Sequence, residues 1–425
     1  MRREVAEIAI ETPPRPLPIR AMNLAYRGAR RIGRHPLTLR KSTLMERASS
    51  RAGGLTEFGD PRFEAGLDRL IASLEDEDRL NGFGRVLAGA HLSNLLRQRL
   101  LLAEHVRQHP EIREEKIERP IFIIGAPRTG TTVTHHLLSQ DDGFRYPLTW
   151  ECDELHPPLD PATMDHDPRI KRSERQIRRG MAMAPNLDAA HPVGAWEAQE
   201  CALLHAYAFH SDTFHVMFNC QGYARWLTEQ DLRWVYEEQK LLLQFMQSGG
   251  LRPTTSWLLK TPPHMENVHN ILAVFPDAHF VTTYREPTEI VASGCSLAGT
   301  VFHMAEDNPD WHDHGRFMRW RTTRMLERNV ELRRQYADLT DRFVDFPMHA
   351  MVRDPLSCVT EIYTRFGIEL TDHNRAKMSR FVDERGMARR KPHIYHAADY
   401  GLDIDELWPQ LQFYRDFYGI EDSRQ

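Results

Sequence analysis

The spacing of apolar residues changes character near residue 120. Before it, from about 21 to 115, apolar positions recur every three or four residues. Leu67, Leu70, Ile71 and Leu74 do so between Phe63 and Leu74, and Leu87, Leu92, Leu95, Leu96, Leu100 and Leu101 between Val86 and Val106. That period predicts helices packing through one face. After Pro120 short unbroken runs take over: Ile121-Phe122-Ile123-Ile124, Trp257-Leu258-Leu259, His279 to Tyr284, and Arg342 to Phe346. Helical stretches follow them: Val133 to Gln140, Pro262 to Phe275 with Thr261 as its cap, Pro287 to Leu297, and Pro355 to Phe366 closed by Gly367. Strands alternating with helices predict an α/β fold, a parallel sheet flanked by helices on both faces. Phe144 to Trp150 reads as a further strand. Residues 155–250 read as a helical insertion, introduced by Pro157, Pro158, Pro161 and Pro168 and closed by Gly249-Gly250. The expected organisation is an N-terminal helical extension over 1–115 and an α/β domain over 116–425 carrying that insertion.

The turn after the first apolar run is Gly125-Ala126-Pro127-Arg128-Thr129-Gly130-Thr131-Thr132. A strand, a glycine loop and a helix in that order present backbone N–H groups and a helix N-terminus to an anion, above all a phosphate. The spacing matches the ATP-binding loop G-x-x-x-x-G-K-[ST], but Thr131 stands where the lysine belongs. Arg128 supplies a positive charge earlier in the loop instead. This predicts a nucleotide with one 5′-phosphate and something other than a phosphate chain beyond it.

Composition narrows the setting. With 27% charged residues and a net charge of −5, bulk attraction to nucleic acid is not indicated, and the basic stretches Arg20 to Arg40 and Arg169 to Arg179 read as solvated helix faces. Five cysteines without C-x-x-C spacing argue for reduced thiols in a cytoplasmic protein and against a zinc site. No apolar run approaches the roughly 18 residues that span a bilayer. The N-terminus lacks the apolar core of a secretory signal.

Two more strand ends carry polar groups: Lys260-Thr261-Pro262-Pro263-His264, and Arg285-Glu286-Pro287 with Ser293 eight residues after Arg285. Ligands of open parallel sheets bind at the carboxyl ends of strands, so the three segments should converge. Together they resemble the sulfotransferases that use 3′-phosphoadenosine 5′-phosphosulfate (PAPS), above all the tyrosylprotein sulfotransferases and the bacterial proteins sharing their arginine-bearing loop. The resemblance covers roughly residues 118–300. It implies that Pro127, Arg128, Thr129, Gly130, Thr131 and Thr132 wrap the 5′-phosphosulfate while Arg285 and Ser293 hold the 3′-phosphate. Lys260 would contact the sulfuryl group, and Arg390 or Lys391 would close over the 3′-phosphate. Arginine suits a phosphate through its planar bidentate fork. Sulfuryl transfer needs positioning and cations more than covalent chemistry, and Arg128 and Lys260 would supply the charge without metal.

The acceptor hydroxyl, or amine, also needs somewhere to send its proton. By the resemblance Glu151 takes it. His264, with an ordinary pKa near neutrality, is the rival, and Glu197 or Glu200 in the insertion the third candidate. The aromatic residues of the insertion, Tyr207, Phe209, Phe214, Tyr223 and Trp226 among them, read first as helical core and second as a pocket for a small hydrophobic alcohol, phenol, sterol or lipid-like acceptor. Two alternatives stay open: a P-loop kinase or ATPase, for which Asp345 would have to hold magnesium, and a nucleotide-binding protein without turnover. The acceptor's identity and the oligomeric state are not written in the sequence.

Overall fold

The computed structural model describes residues 14–183, 194–385 and 395–421. Five parallel strands, β1 (Ile121–Ile124), β2 (Phe144–Arg145), β3 (Ser256–Lys260), β4 (His279–Tyr284) and β5 (Phe343–Pro347), form one sheet in the order β2-β3-β1-β4-β5. The first strand thus lies in the middle. Phe122 sits level with Leu259 on one side and Phe280 on the other, and Ile123 with Lys260 and Val281. Side chains alternate between two faces, as pleated backbone requires. Phe122, Ile124, Trp257, Leu259 and Phe280 enter the larger core. Ile121, Ile123, Leu258 and Val281 enter a smaller one with Leu137, Leu138, Val359 and Ile362. Strands buried on both faces explain why the sequence shows unbroken apolar runs rather than alternation.

Helices Leu17–Arg31, Lys41–Arg51, Phe63–Asp76 and Gly82–Gln108 make up the N-terminal region. Leu67, Leu70, Leu92 and Leu96 share the larger core with Phe122 and Phe280, so these helices and the sheet bury one continuous apolar mass. The insertion contributes helices Pro168–Met181, Cys201–His205, Thr213–Phe218, Gln221–Leu227 and Arg233–Ser248. Its aromatic residues are mostly core. Tyr207, Phe209, Phe214 and Tyr223 are buried, the Tyr207 hydroxyl donating to the Cys152 carbonyl at 2.8 Å and that of Tyr223 to the Phe209 carbonyl at 2.8 Å. Buried phenols need such partners. The exposed exception is Trp196.

Three local expectations change. The strand foreseen over Phe144 to Trp150 stops after Arg145, because Pro147 offers no N–H to a ladder and residues Thr149–Asp153 form a short helix. The helix foreseen from Pro262 to Phe275 splits into a 3₁₀ turn, Pro262–Glu266, and a helix, Val268–Val274, joined at Asn267, whose amide donates to the Pro263 carbonyl at 2.9 Å. Thr261 does not cap it: its hydroxyl is spent on Glu200. By contrast the helix after β4 is longer than foreseen, Pro287–Phe302. Among the described residues no helix is long and apolar enough to cross a membrane, and no group of three or more His, Cys, Asp or Glu could hold a metal ion. All five cysteines are buried and unbridged.

Candidate active site

Three strand ends meet at the carboxyl edge of the sheet. After β1 the chain turns at Gly125 with φ 150°, and a Cβ there would lie 2.5 Å from the Thr283 carbonyl oxygen, so only glycine fits between the strands. Thr129 locks the loop from inside, its hydroxyl donating to the Ala126 carbonyl at 2.8 Å and lying 2.9 Å from the Thr283 hydroxyl. The side chain foreseen as a phosphate ligand is therefore a brace for the loop. Gly130, at φ 101°, opens the helix Thr131–Leu138, whose first N–H groups have no acceptor within the helix. Arg128 takes φ 70°, rare for a residue with a side chain, and its Nε donates to the Ser293 hydroxyl at 3.1 Å. Arg128 and Ser293, 165 residues apart, are thus in contact.

Lys260 ends β3 one strand away. Its ammonium is 1% exposed and donates to Glu200 Oε1 at 2.5 Å and to the Thr132 hydroxyl at 3.3 Å, joining the insertion to the loop. The Thr261 hydroxyl donates to the other Glu200 oxygen at 3.1 Å. Backbone pairing holds Glu200 there. Residues 195–199 run antiparallel to 147–150, with Gln199 N–H donating to the Pro147 carbonyl at 2.8 Å, Thr149 N–H to the Glu197 carbonyl at 3.2 Å and Trp150 N–H to the Ala195 carbonyl at 3.2 Å. The same segment sets Glu197 3.2 Å from His136 Nδ1.

On the far side of β1, the turn after β4 is clamped by Glu286. One of its oxygens accepts from Thr288 N–H at 2.7 Å and Glu289 N–H at 3.1 Å, capping the helix Pro287–Phe302. The other meets Arg415 at 2.7 Å, whose guanidinium lies 3.6 Å above the Trp408 ring. Arg285, next to this clamp, is part-exposed and paired with Glu289 one helical turn on. Ser293 is fully buried on the same helix.

The two foremost candidates for proton acceptor are both held elsewhere. Glu151 is 2% exposed and meets Arg145 at 2.5 Å, while its second oxygen accepts from Leu148 N–H at 3.3 Å. Removing an already bonded carboxylate from such a pair is costly. His264 is sealed in the core, Nδ1 2.8 Å from the Tyr236 hydroxyl and its ring edge-on to Phe122 at 5.0 Å. Burial, with the neighbouring His205 adding to it, holds His264 well below its ordinary pKa. Both groups are poorly placed to receive a proton from an incoming molecule, and the physical reason is the same: each is already part of the packing. Arg390 and Lys391 lie outside the described residues. Asp345, the residue a magnesium-dependent kinase would have to use, sits on the sheet's outer strand and is gripped by Arg333 at 2.6 and 2.9 Å.

Residues 120–372 match the model of the Sulfotransferase family. The chain belongs to that family. Over 300 residues, 69% of its length and 74% of the relative's, this sulfotransferase is 26% identical to omega-hydroxy-beta-dihydromenaquinone-9 sulfotransferase Stf3 of Mycobacterium bovis. Among solved structures, it is 28% identical to sulfotransferase STF9 from Mycobacterium avium, with a TM-score of 0.81 covering 90% of this chain and 97% of that one. Sulfotransferase STF1 from Mycobacterium tuberculosis H37Rv is also 28% identical, with a TM-score of 0.77 covering 90% of this chain and all of that one. The kinase alternative falls to this membership. What reading by residue type could not rank is Glu200 as the carboxylate beside Lys260. In this sulfotransferase that neighbourhood depends on the pairing of 195–199 with 147–150, a tertiary contact with no local signature.

Proposed function

We propose that this sulfotransferase transfers the sulfuryl group of PAPS to a hydroxyl of a small apolar acceptor, with Glu200 as the proton acceptor. The observation that carries this reading is the Glu200–Lys260–Thr132 chain, which joins a carboxylate and an ammonium to the mouth of the glycine loop. The loop suits an anion: the first N–H groups of the helix Thr131–Leu138 have no acceptor within the helix and open on the turn. In this reading Gly130, Thr131 and Thr132 bind the 5′-phosphosulfate through the helix N-terminus. Pro127 and Thr129 shape the loop. Arg128 neutralises the 5′-phosphate, and Arg285 and Ser293 bind the 3′-phosphate.

The chemistry then balances among these groups. Lys260, already bonded to Glu200 and Thr132, gives its third N–H to the sulfuryl oxygens, and Glu200 accepts the hydroxyl proton. The acceptor oxygen bonds to sulfur as the bond from sulfur to the bridging oxygen breaks in line. Adenosine 3′,5′-bisphosphate leaves with its new charge held by Arg128 and Lys260. An apolar acceptor is supported by the relative named for a hydroxylated dihydromenaquinone.

Incubation with PAPS and a panel of phenols and long-chain alcohols, read by mass spectrometry for sulfate esters, tests the reading. Glu200→Gln should lower kcat by about 10²- to 10⁴-fold while adenosine 3′,5′-bisphosphate still binds. Undiminished turnover by that variant would hand the proton to another group.

A further inference from the structure

Beyond β3, on the side away from Arg285, a cavity of about 560 Å³ runs along the flank of the helix Thr131–Leu138. Its size is that of a small-molecule site. We infer that this cavity is the acceptor channel, and that it admits an elongated apolar molecule carrying the reacting hydroxyl at one end. The inference rests on the donor assignment above and adds the acceptor's path and shape.

Geometry gives the direction. The sheet order is β2-β3-β1-β4, so the groups assigned to the donor's phosphates stand over β4 and β1, and Lys260 stands over β3. In-line transfer brings the nucleophile in opposite the leaving oxygen, hence from the side of β2. Tyr146, which directly follows β2, lines the cavity on that side. The helix carries the path onward. Thr132 touches Lys260, and His136, four residues later and therefore on the same helix face, lines the cavity. The neighbouring segment repeats the relation, with Glu200 against Lys260 and Glu197, three residues earlier, against His136 at 3.2 Å. Two pieces of backbone therefore lead from the transfer point to the cavity, whose lining begins at His136 and Glu197. From Thr132 to His136, a lining residue on the same helix, the helical rise is about 6 Å.

The walls give the chemistry. Tyr146, Ile177, Trp196 and Phe381 present apolar surface from four separate elements, and share the lining with the charged Glu174 and Arg178 as well as His136 and Glu197. Trp196 is 42% exposed, its ring meeting Trp150 edge-on at 6.0 Å, so a large indole face is left uncovered in the cavity wall. His136 and Glu197 answer each other, so an apolar chain passing them does not strand a lone charge.

The test uses the chain's own lack of accessible thiols: all five native cysteines are buried. Trp196→Cys, and Ile177→Cys on the helix Pro168–Met181, should each react with a benzyl methanethiosulfonate and so gain a plug in the channel. Labelled and unlabelled samples of the same variant are compared, with PAPS as donor and 1-decanol or 4-nitrophenol as acceptor. Labelling should cut sulfation of decanol at least tenfold, reduce that of the shorter nitrophenol less than threefold, and leave stabilisation by adenosine 3′,5′-bisphosphate unchanged. Equal rates on decanol before and after labelling at both positions would overturn the channel. Turnover of nitrophenol but none of decanol by the unmodified enzyme would overturn the elongated class. Loss of the bisphosphate response in the unmodified enzyme would instead strike the donor assignment beneath it.

Discussion

The two ends of the cleft are built on opposite plans. At the β3 end, Lys260 is 1% exposed and its partner Glu200 24%, and a second hydrogen bond ties the ammonium to the loop. At the β4 end, Arg285 is 27% exposed and its partner Glu289 48%, and the pair spans a single helical turn. A buried pair is expensive to break by deletion, whereas an exposed one contributes little and yields easily to a competitor. Under the proposed assignment the β3 end is the chemical end and is held fixed, while the β4 end anchors the donor and exchanges easily. A phosphate arriving at Arg285 displaces a weak surface partner, while the sulfuryl group arrives where the cation is already set. Catalysis by charge placement needs that second kind of preorganisation.

Breaking the buried end should have the largest consequence. Lys260→Ala should lower single-turnover transfer by about 10³-fold, in the range seen when one preorganised charge-stabilising donor is removed, with donor affinity changed by less than tenfold. If affinity and rate fall together, the two ends are not separable.

Arg285→Ala should show the converse. A lost charged hydrogen bond is worth about 1.5–3 kcal/mol, so adenosine 3′,5′-bisphosphate should bind about 10- to 100-fold more weakly, with kcat at saturating donor within threefold of normal. A collapse of kcat would move Arg285 into the chemical end.

The packing beneath the buried end should also be acid-sensitive. His205, hydrogen-bonded to Gln239 at 2.7 Å and edge-on to His264 at 5.6 Å, is pushed down to about 4 by burial. A histidine depressed in the folded state binds its proton more readily when unfolded. Its contribution is therefore complete above the unfolded value near 6.5 and is lost as pH falls from there toward 4. At pH 5 that one group should account for about 2 kcal/mol of lost stability, measurable by urea denaturation, and His205→Gln should flatten the slope. A slope unchanged in the variant would mean that His205 does not titrate in this way.

The gentlest change sharpens the exposed end. Glu289→Gln removes Arg285's competitor, and because exposed pairs are worth about 0.2–1 kcal/mol, the bisphosphate should bind about 1.5- to 5-fold tighter. Weaker binding would mean that Glu289 orients Arg285 rather than competing with the phosphate.

Where local sequence decides structure, the reading held. Ile121–Ile124 forms a strand, and Pro355–Phe366 runs to Gly367, whose φ of 64° suits glycine, because each is governed by residues within a few positions. The glycine loop was legible for the same reason: a turn with a positive φ and no room for a Cβ must show glycine. Thr261 had the right residue type for a cap, but Glu200 arrives from 61 positions away and takes its hydroxyl. The resemblance pointed to Glu151, yet Arg145 from β2 claims it. Carboxylates are interchangeable by type, so the one beside Lys260 is chosen by chain pairing that no local pattern records.

The central claim is that one cleft holds an adenosine by a phosphate at each end. Thermal or chemical unfolding with and without adenosine 3′,5′-bisphosphate at a hundred times its dissociation constant tests it most directly. The account predicts about 2.7 kcal/mol of stabilisation, falling to about 0.4–1.4 kcal/mol at the same ligand concentration in Arg285→Ala, a comparable loss in Arg128→Ala, and little response to ATP with magnesium. A full response to ATP with magnesium and none to the bisphosphate, or an Arg285→Ala protein that responds like the wild type, would contradict it.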